Sequence, residues 1–403
     1  MKIRSITYFC NPGWPLRSET LQRAGQFLQE ARRLFEEAGY EVQTTRLATV
    51  PFPSLVGGKP KETVLLAQAM EKAIAEYGIA YAALGPALAE TPESFDAVVE
   101  SLANTQQIFF SALLTDRRGR LSLSALQATA ETIVRLSTVE ANGFANLRFA
   151  ALINVPAGTP FFPAAYHQGP EEAFALALEA ADLAVQAFAG ISNLEEGQQR
   201  LVARIEQEAQ NLSRVADFLK YRHMIRFGGF DFSLAPFPSV ERSIGTALEQ
   251  TGLPRLGLHG SMTAVALFTQ ALERAHFPHA GFCGVMLPVL EDAVLAERVA
   301  RGELTLKDLL LYSAVCGTGL DTVPLPGDVT PSQIAALLLD LATLALRLNK
   351  PLTARLMPIP GKKAGEATTF DFPFFANSRI LPIQAEGLSL PPENVSLKIE
   401  GRG

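Results

Sequence analysis

With 403 residues, 48% of them apolar and 19% charged, the chain can bury a large core and does not belong to the disordered class. A net charge of −6 argues against a general nucleic-acid binder, which carries a basic surplus. Three cysteines, Cys10, Cys283 and Cys316, are too few and scattered for a disulfide framework, and without a CxxC pair they do not suggest a cysteine-rich zinc site.

The N-terminus MKIRSITYFCNPGW reads as a strand from Ile3 to Phe9 entering a loop, not as a signal peptide, because its apolar run is short. From Ser18 to Ala38, Leu21, Ala24, Leu28, Ala31 and Phe35 share one helical face, and Gly39 stands where a helix stops. Strands are expected at Tyr40 to Leu47, Gly78 to Leu84 and Ile108 to Leu114. Helices are expected between them at Glu62 to Tyr77 and Pro92 to Ala103, and after them at Leu123 to Leu136. This alternation predicts βαβ units and a largely parallel sheet.

A strand from Asn146 to Val155 leads into PAGTPFFPAAYHQGP, a stretch rich in turn formers. Two helices, Glu171 to Ala189 and Asn193 to about Tyr221, are expected next, giving a helical insertion over 170–225 within a single α/β body spanning 1–403. Alternation resumes with FGGFDFSLAPFPS, helices at Val240 to Gln250 and Ser261 to Arg274, a strand at Gly281 to Leu290 and helices at Ala293 to Ala300 and Pro331 to Asn349. A strand from Leu352 to Pro358 follows. The most apolar helical window, Ile334 to Leu346, contains Asp340 and ends at Arg347, short of the ~20 residues of a membrane span. A soluble cytoplasmic protein without a membrane partner is expected. Its apolar excess fits a homo-oligomer.

Candidate chemistry gathers where apolar runs end. Asp231, in GGFDFSLAP, reads either as a metal- or substrate-binding carboxylate or as a turn residue satisfied by backbone N–H groups. Glu291 closes the run LPVL and can point into a cleft, whereas Asp292 occupies an N-cap position. Cys316, in CGTGLD, is either a nucleophile whose thiolate is favoured by glycine-loop amides or a small buried hydrophobe; Asp321 follows it. His167 lies in an irregular aromatic loop, and His259 precedes a helix start suited to an anion. Arg355 and Lys362 frame the turn in ARLMPIPGKKAGE and are candidates for holding a phosphate or carboxylate. A metal held by Asp231, Glu291 and Asp321 would be a hard ion such as Mg²⁺ or Ca²⁺. No GxGxxG opens a helix and no GxSxG occurs, so dinucleotide binding and a serine-hydrolase elbow lack support.

Four long blocks, NLRFAALINVPAGTPFFPAAYH, GGFDFSLAPFPSVERSIGTALE, CGVMLPVLEDAVLAERVARGELTLKDLLLYSAVCGTGLDTVPLPGD and LNKPLTARLMPIPGKKAG, resemble the DUF711 family, also called UPF0210. The resemblance covers most of the chain from about residue 140 and, more loosely, the N-terminal third. It implies a ten-stranded α/β barrel of the pyruvate formate-lyase type. It does not imply glycyl radical chemistry, because the RVxGY-type radical motif is missing from this sequence. Family members are often accompanied by a small ACT-domain protein, which the resemblance suggests as a partner. The expected function is enzymatic action on a small polar metabolite through a carboxylate-rich site, with Asp231, Glu291, Cys316 and Asp321 catalytic and His167, His259, Arg355 and Lys362 binding substrate. Two alternatives are a metabolite-binding regulatory protein without turnover and thiol chemistry at Cys316.

Overall fold

Neighbouring side chains of a strand point to opposite faces of a sheet, and here the two faces meet different surroundings. The computed structural model describes residues 1–57, 59–386 and 396–401. Its strands are β1 (Lys2–Cys10), β2 (Val42–Thr49), β3 (Tyr81–Ala87), β4 (Ile108–Leu113), β5 (Leu121–Ser122), β6 (Phe149–Ile153), β7 (Ala173–Glu179), β8 (Arg226–Asp231), β9 (Gly319–Pro326), β10 (Leu352–Ile359) and β11 (Ser396–Leu397). In β4, Phe110 packs with the helical layer against Phe52 at 5.2 Å between ring centroids. Its neighbour Phe109 meets Phe162, also at 5.2 Å, beside a cavity on the other face.

Nine strands form one sheet in the order β8-β7-β1-β2-β3-β4-β6-β10-β9, and β5 and β11 make a separate pair. From β1 through β6 the sheet strands run parallel, as the βαβ rhythm predicts. The direction reverses at β7 on one side and at β10 on the other. Each reversed strand has a parallel neighbour, β8 and β9 respectively. The segment 279–290 makes only isolated bridges, Phe230 to His279 and Leu234 to Val285 beside β8, and Pro288 to Asp321 in β9. The regular strand expected from Gly281 to Leu290 is therefore absent among the described residues; Gly281 and Cys283 both adopt positive φ, which interrupts a regular ladder.

The expected helix from Glu171 to Ala189 is instead strand β7 followed by the short helix Ala181–Phe188. All seven residues of AFALALE are buried between β1 and β8. Phe174, Leu176 and Leu178 join the main core, while Ala173, Ala175 and Ala177 meet smaller apolar clusters on the opposite face. Burial on both sides outweighs the helix preference of Ala, Leu and Glu, a tertiary override of propensity. The expected insertion thus contributes a strand to the sheet, and only its remainder is helical, including the 30-residue helix Leu194–His223.

One buried apolar cluster extends from Ile3 to Leu381. Asp292 fastens two helix starts to each other. It caps Ala293–Ala300 through Val294 and Leu295 N–H, and also accepts from Ser243 Oγ and Ile244 N–H at the start of Ile244–Glu249. No helix among the described residues is long and apolar enough to cross a membrane.

Candidate functional site

Two interruptions of strand register aim charged side chains into one cavity. Between β1 and β7, Ile3 pairs with Leu178 and Ser5 with Ala177, leaving Arg4 as an extra residue. Between β10 and β9, Ala354 pairs with Leu320 and Leu356 with Val323, so Arg355 opposes both Asp321 and Thr322. Thr322 takes up the bend at φ 41°. Such bulges re-aim side chains that a regular strand would place elsewhere.

The re-aimed groups form a connected ion network. Arg355 donates to Glu291 Oε1 and to Asp321 Oδ1, each at 2.6 Å. Arg4 donates to Glu291 Oε2 at 2.7 Å and lies 3.4 Å from Glu179 Oε2. Glu179 also accepts from Gln43 at 2.6 Å and Arg242 at 3.2 Å. Burial raises the proton affinity of Glu291, but Arg355 and Arg4 more than reverse this and hold its carboxyl below the ordinary range. Asp321 is shifted upward, first by burial and then by the Glu291 charge. Burial works against the Arg355 charge, yet Asp321 and Glu291 hold that guanidinium above its usual value. Two carboxylates on one arginine are thereby pushed apart in acidity, a pattern suited to separate acid and base roles.

Arg46, on β2, differs from its neighbours. Its Nε donates to Thr44 Oγ1 at 2.8 Å, and among the described residues it forms no ion pair. Arg46 is half-buried, and its side chain lines the cavity. Burial, reinforced by Arg4, lowers its pKa to about 9. Guanidinium groups nevertheless remain protonated at neutral pH, so the site holds a cation whose lost hydration is incompletely compensated. Its faces meet aromatic rings, with the central carbon 4.9 Å from the Phe162 centroid and 6.0 Å from that of Tyr81.

The cavity has a volume of about 200 Å³. Its polar side comprises Arg4, Gln43, Thr44, Arg46, Glu291, Thr318, Asp321, Thr353 and Arg355, and its apolar side includes Tyr81, Phe109, Phe161, Phe162, Phe282, Phe372 and Phe374. The Thr318 hydroxyl is buried without a hydrogen-bond partner among the described residues.

Of the residues singled out in the sequence, Glu291, Asp321 and Arg355 come together here. Asp231 does not join them. Its carboxylate accepts from Phe282 N–H at 2.7 Å, Cys283 N–H at 2.9 Å and Ser233 Oγ at 2.6 Å, which is the turn-residue alternative. His167 is buried beside Phe9, outside the cavity lining, and burial lowers its pKa. His259 is exposed ahead of the helix Ser261–Arg274, and Lys362 contributes a backbone carbonyl to Gly327 N–H.

Cys316 lines a second cavity of about 480 Å³, together with Cys283 and Lys350. Its Sγ accepts from Gly319 N–H at 3.3 Å, while Lys350 Nζ donates to its carbonyl. The adjacent Gly317 packs directly on Gly284. A Cβ placed on either would sit 2.3–2.5 Å from the other's Cα, so these glycines admit backbone against backbone. Burial pushes the Cys283 thiol well up.

Among the described residues no group of three or more His, Cys, Asp or Glu is arranged to hold a metal ion. The expected Mg²⁺ or Ca²⁺ set of Asp231, Glu291 and Asp321 is therefore corrected. Asp231 binds backbone amides instead, and arginines engage both Glu291 oxygens. Arg4, Arg46, Glu179 and Arg242 are further members of the site; isolated arginines within β-prone runs at Arg4 and Arg46 are their available signal in the sequence.

A family model described as "Uncharacterised ACR (DUF711)" matches residues 1–377. The chain belongs to the DUF711 family. Curated relatives named UPF0210 proteins include one from Pyrobaculum arsenaticum, 32% identical across 91% of this chain and 87% of the relative. Those from Pyrobaculum aerophilum and Methanopyrus kandleri are each 30% identical, across 91% and 87% of this chain and 87% and 82% of the respective relatives. The stretch matched by the family model contains the network from Arg4 to Arg355.

Proposed function

We propose that this DUF711 protein is an enzyme acting on a small anionic metabolite, bound through Arg46 in the arginine-rich cavity. The observation carrying this reading is the half-buried Arg46 guanidinium, which lines the cavity without an ion-pair partner among the described residues. Nearby arginines are already engaged by Glu291, Asp321 and Glu179, so Arg46 has the strongest electrostatic demand for an incoming anion. A planar guanidinium presents paired N–H donors suited to carboxylate or phosphate.

Asp321 is the proposed proton-transfer group. Its raised proton affinity lets it carry or accept a proton nearer neutral pH than an ordinary aspartate. Glu291 remains ionised and holds Arg4 and Arg355 in place. The same reading takes 279–290 as the tenth stave of a closed pyruvate formate-lyase-type barrel, an idea supported by its bridges to Phe230 in β8, to Leu234 just beyond β8 and to Asp321 in β9.

A thermal-unfolding screen of small carboxylates and phosphates against wild type and Arg46→Gln tests the binding step, with product analysis testing turnover. An anion should stabilise wild type but not the variant, and a stabilising compound should be consumed. Equal stabilisation of both proteins would overturn the role of Arg46. Stabilisation without consumption of any binding compound would favour the non-enzymatic alternative.

A further inference from the structure

We propose that the anion held at Arg46 is an aromatic monocarboxylate, a single planar ring carrying one carboxylate. This inference rests on the anion-binding reading and names its substrate class. The first support is position. Tyr81 and Phe162 flank the Arg46 guanidinium, and Phe109 meets both rings edge to face, at 5.5 Å from Tyr81 and 5.2 Å from Phe162. An anion bound to Arg46 would therefore place its adjoining group beside aromatic surface, where a planar ring gains offset or edge contacts.

Size supplies the second support. An apolar protein cavity of about 150 Å³ accepts benzene, so the present cavity, at about 200 Å³, suits one ring and a carboxylate. Charge supplies the third. Arg4, Arg46, Arg242 and Arg355 face Glu179, Glu291 and Asp321, leaving one cation in surplus when all are ionised. A monoanion balances that surplus, whereas a dianion exceeds it.

Isothermal titration of the full chain at fixed ionic strength, with benzoate, cyclohexanecarboxylate, acetate and phenyl phosphate, tests the assignment. Benzoate should bind tightest, about tenfold more tightly than acetate, because only it combines one negative charge with an aromatic face. Phe162→Leu should weaken benzoate about fivefold with a smaller effect on acetate. Tyr81→Leu carries the same expectation should Phe162→Leu fail to fold. Acetate, cyclohexanecarboxylate or phenyl phosphate binding as tightly as benzoate would overturn the aromatic-monocarboxylate inference while leaving the anion site intact. Failure of all four to bind, with another anion binding through Arg46 in the broader screen, would overturn this inference alone. Failure of every anion in both experiments would overturn the underlying reading.

Discussion

Arg4 and Glu291 are separated by 287 positions along the chain and by a 2.7 Å hydrogen bond in space. The bond joins the bulge of β1 to the end of the LPVL run, and Arg355 reaches the other Glu291 oxygen from β10. Glu291 is thus the carboxylate on which two otherwise competing guanidiniums converge. With those arginines engaged, Arg46 remains the cavity's unpaired cation among the described residues.

Glu291→Gln should destabilise the protein by about 3 kcal/mol at neutral pH, since removing one charge from a buried pair leaves its partners uncompensated. Urea denaturation measures this directly. A loss below about 0.5 kcal/mol, the scale of an ordinary surface substitution, would contradict the linking role of Glu291.

Glu291 and Asp321 should give pH dependences of opposite sign. For Glu291, whose folded-state pKa is lowered, the stabilising contribution is present above its unfolded value and lost as acidification passes through the folded value. For Asp321, whose folded-state pKa is raised, the contribution is present below its unfolded value and lost as rising pH passes through the folded value. Urea denaturation from about pH 3 to 7 should therefore show the wild-type advantage over Glu291→Gln growing with pH, and that over Asp321→Asn shrinking. Slopes of the same sign would refute the division between the two acids.

Arg46→Met should increase unliganded stability by about 1 kcal/mol, because a half-buried cation without an ion-pair partner gives way to an apolar side chain. The same change should remove anion-dependent stabilisation. A less stable Arg46→Met protein that still gains stability from the anion would contradict both parts.

Cys316→Ala should leave anion affinity within about twofold of wild type and cost about 1 kcal/mol of stability through lost packing. Anion titration and urea denaturation read the two effects separately. Loss of anion binding by a correctly folded Cys316→Ala protein would instead connect the second cavity to the first.

Glu291 and Asp321 are legible in the sequence because each lies at or near the end of an apolar stretch, and Arg355 because it stands with Lys362 about the turn in ARLMPIPGKKAGE. Arg4 is harder to place because its direction depends on a bulge against β7, itself a distant segment whose alanine and leucine content favours helix. Arg46 resembles an ordinary polar strand residue until the rings of Phe162 and Tyr81 are brought around it. Asp231 carries the opposite lesson. Its glycine-rich surroundings suggest a ligand site, but the amides that satisfy it belong to 282 and 283, about fifty residues later in the chain. The βαβ rhythm of the first third is local and therefore readable, whereas the reversals at β7 and β10 depend on long-range pairing.

A crystal structure of the protein grown with benzoate would show whether Arg46 is the anion site. The expected arrangement has a carboxylate against the terminal nitrogens of Arg46, with its ring beside Phe162 and Tyr81 and the Arg4–Glu291–Arg355 connections retained. Benzoate bound elsewhere, with Arg46 paired instead to a protein carboxylate, would contradict it.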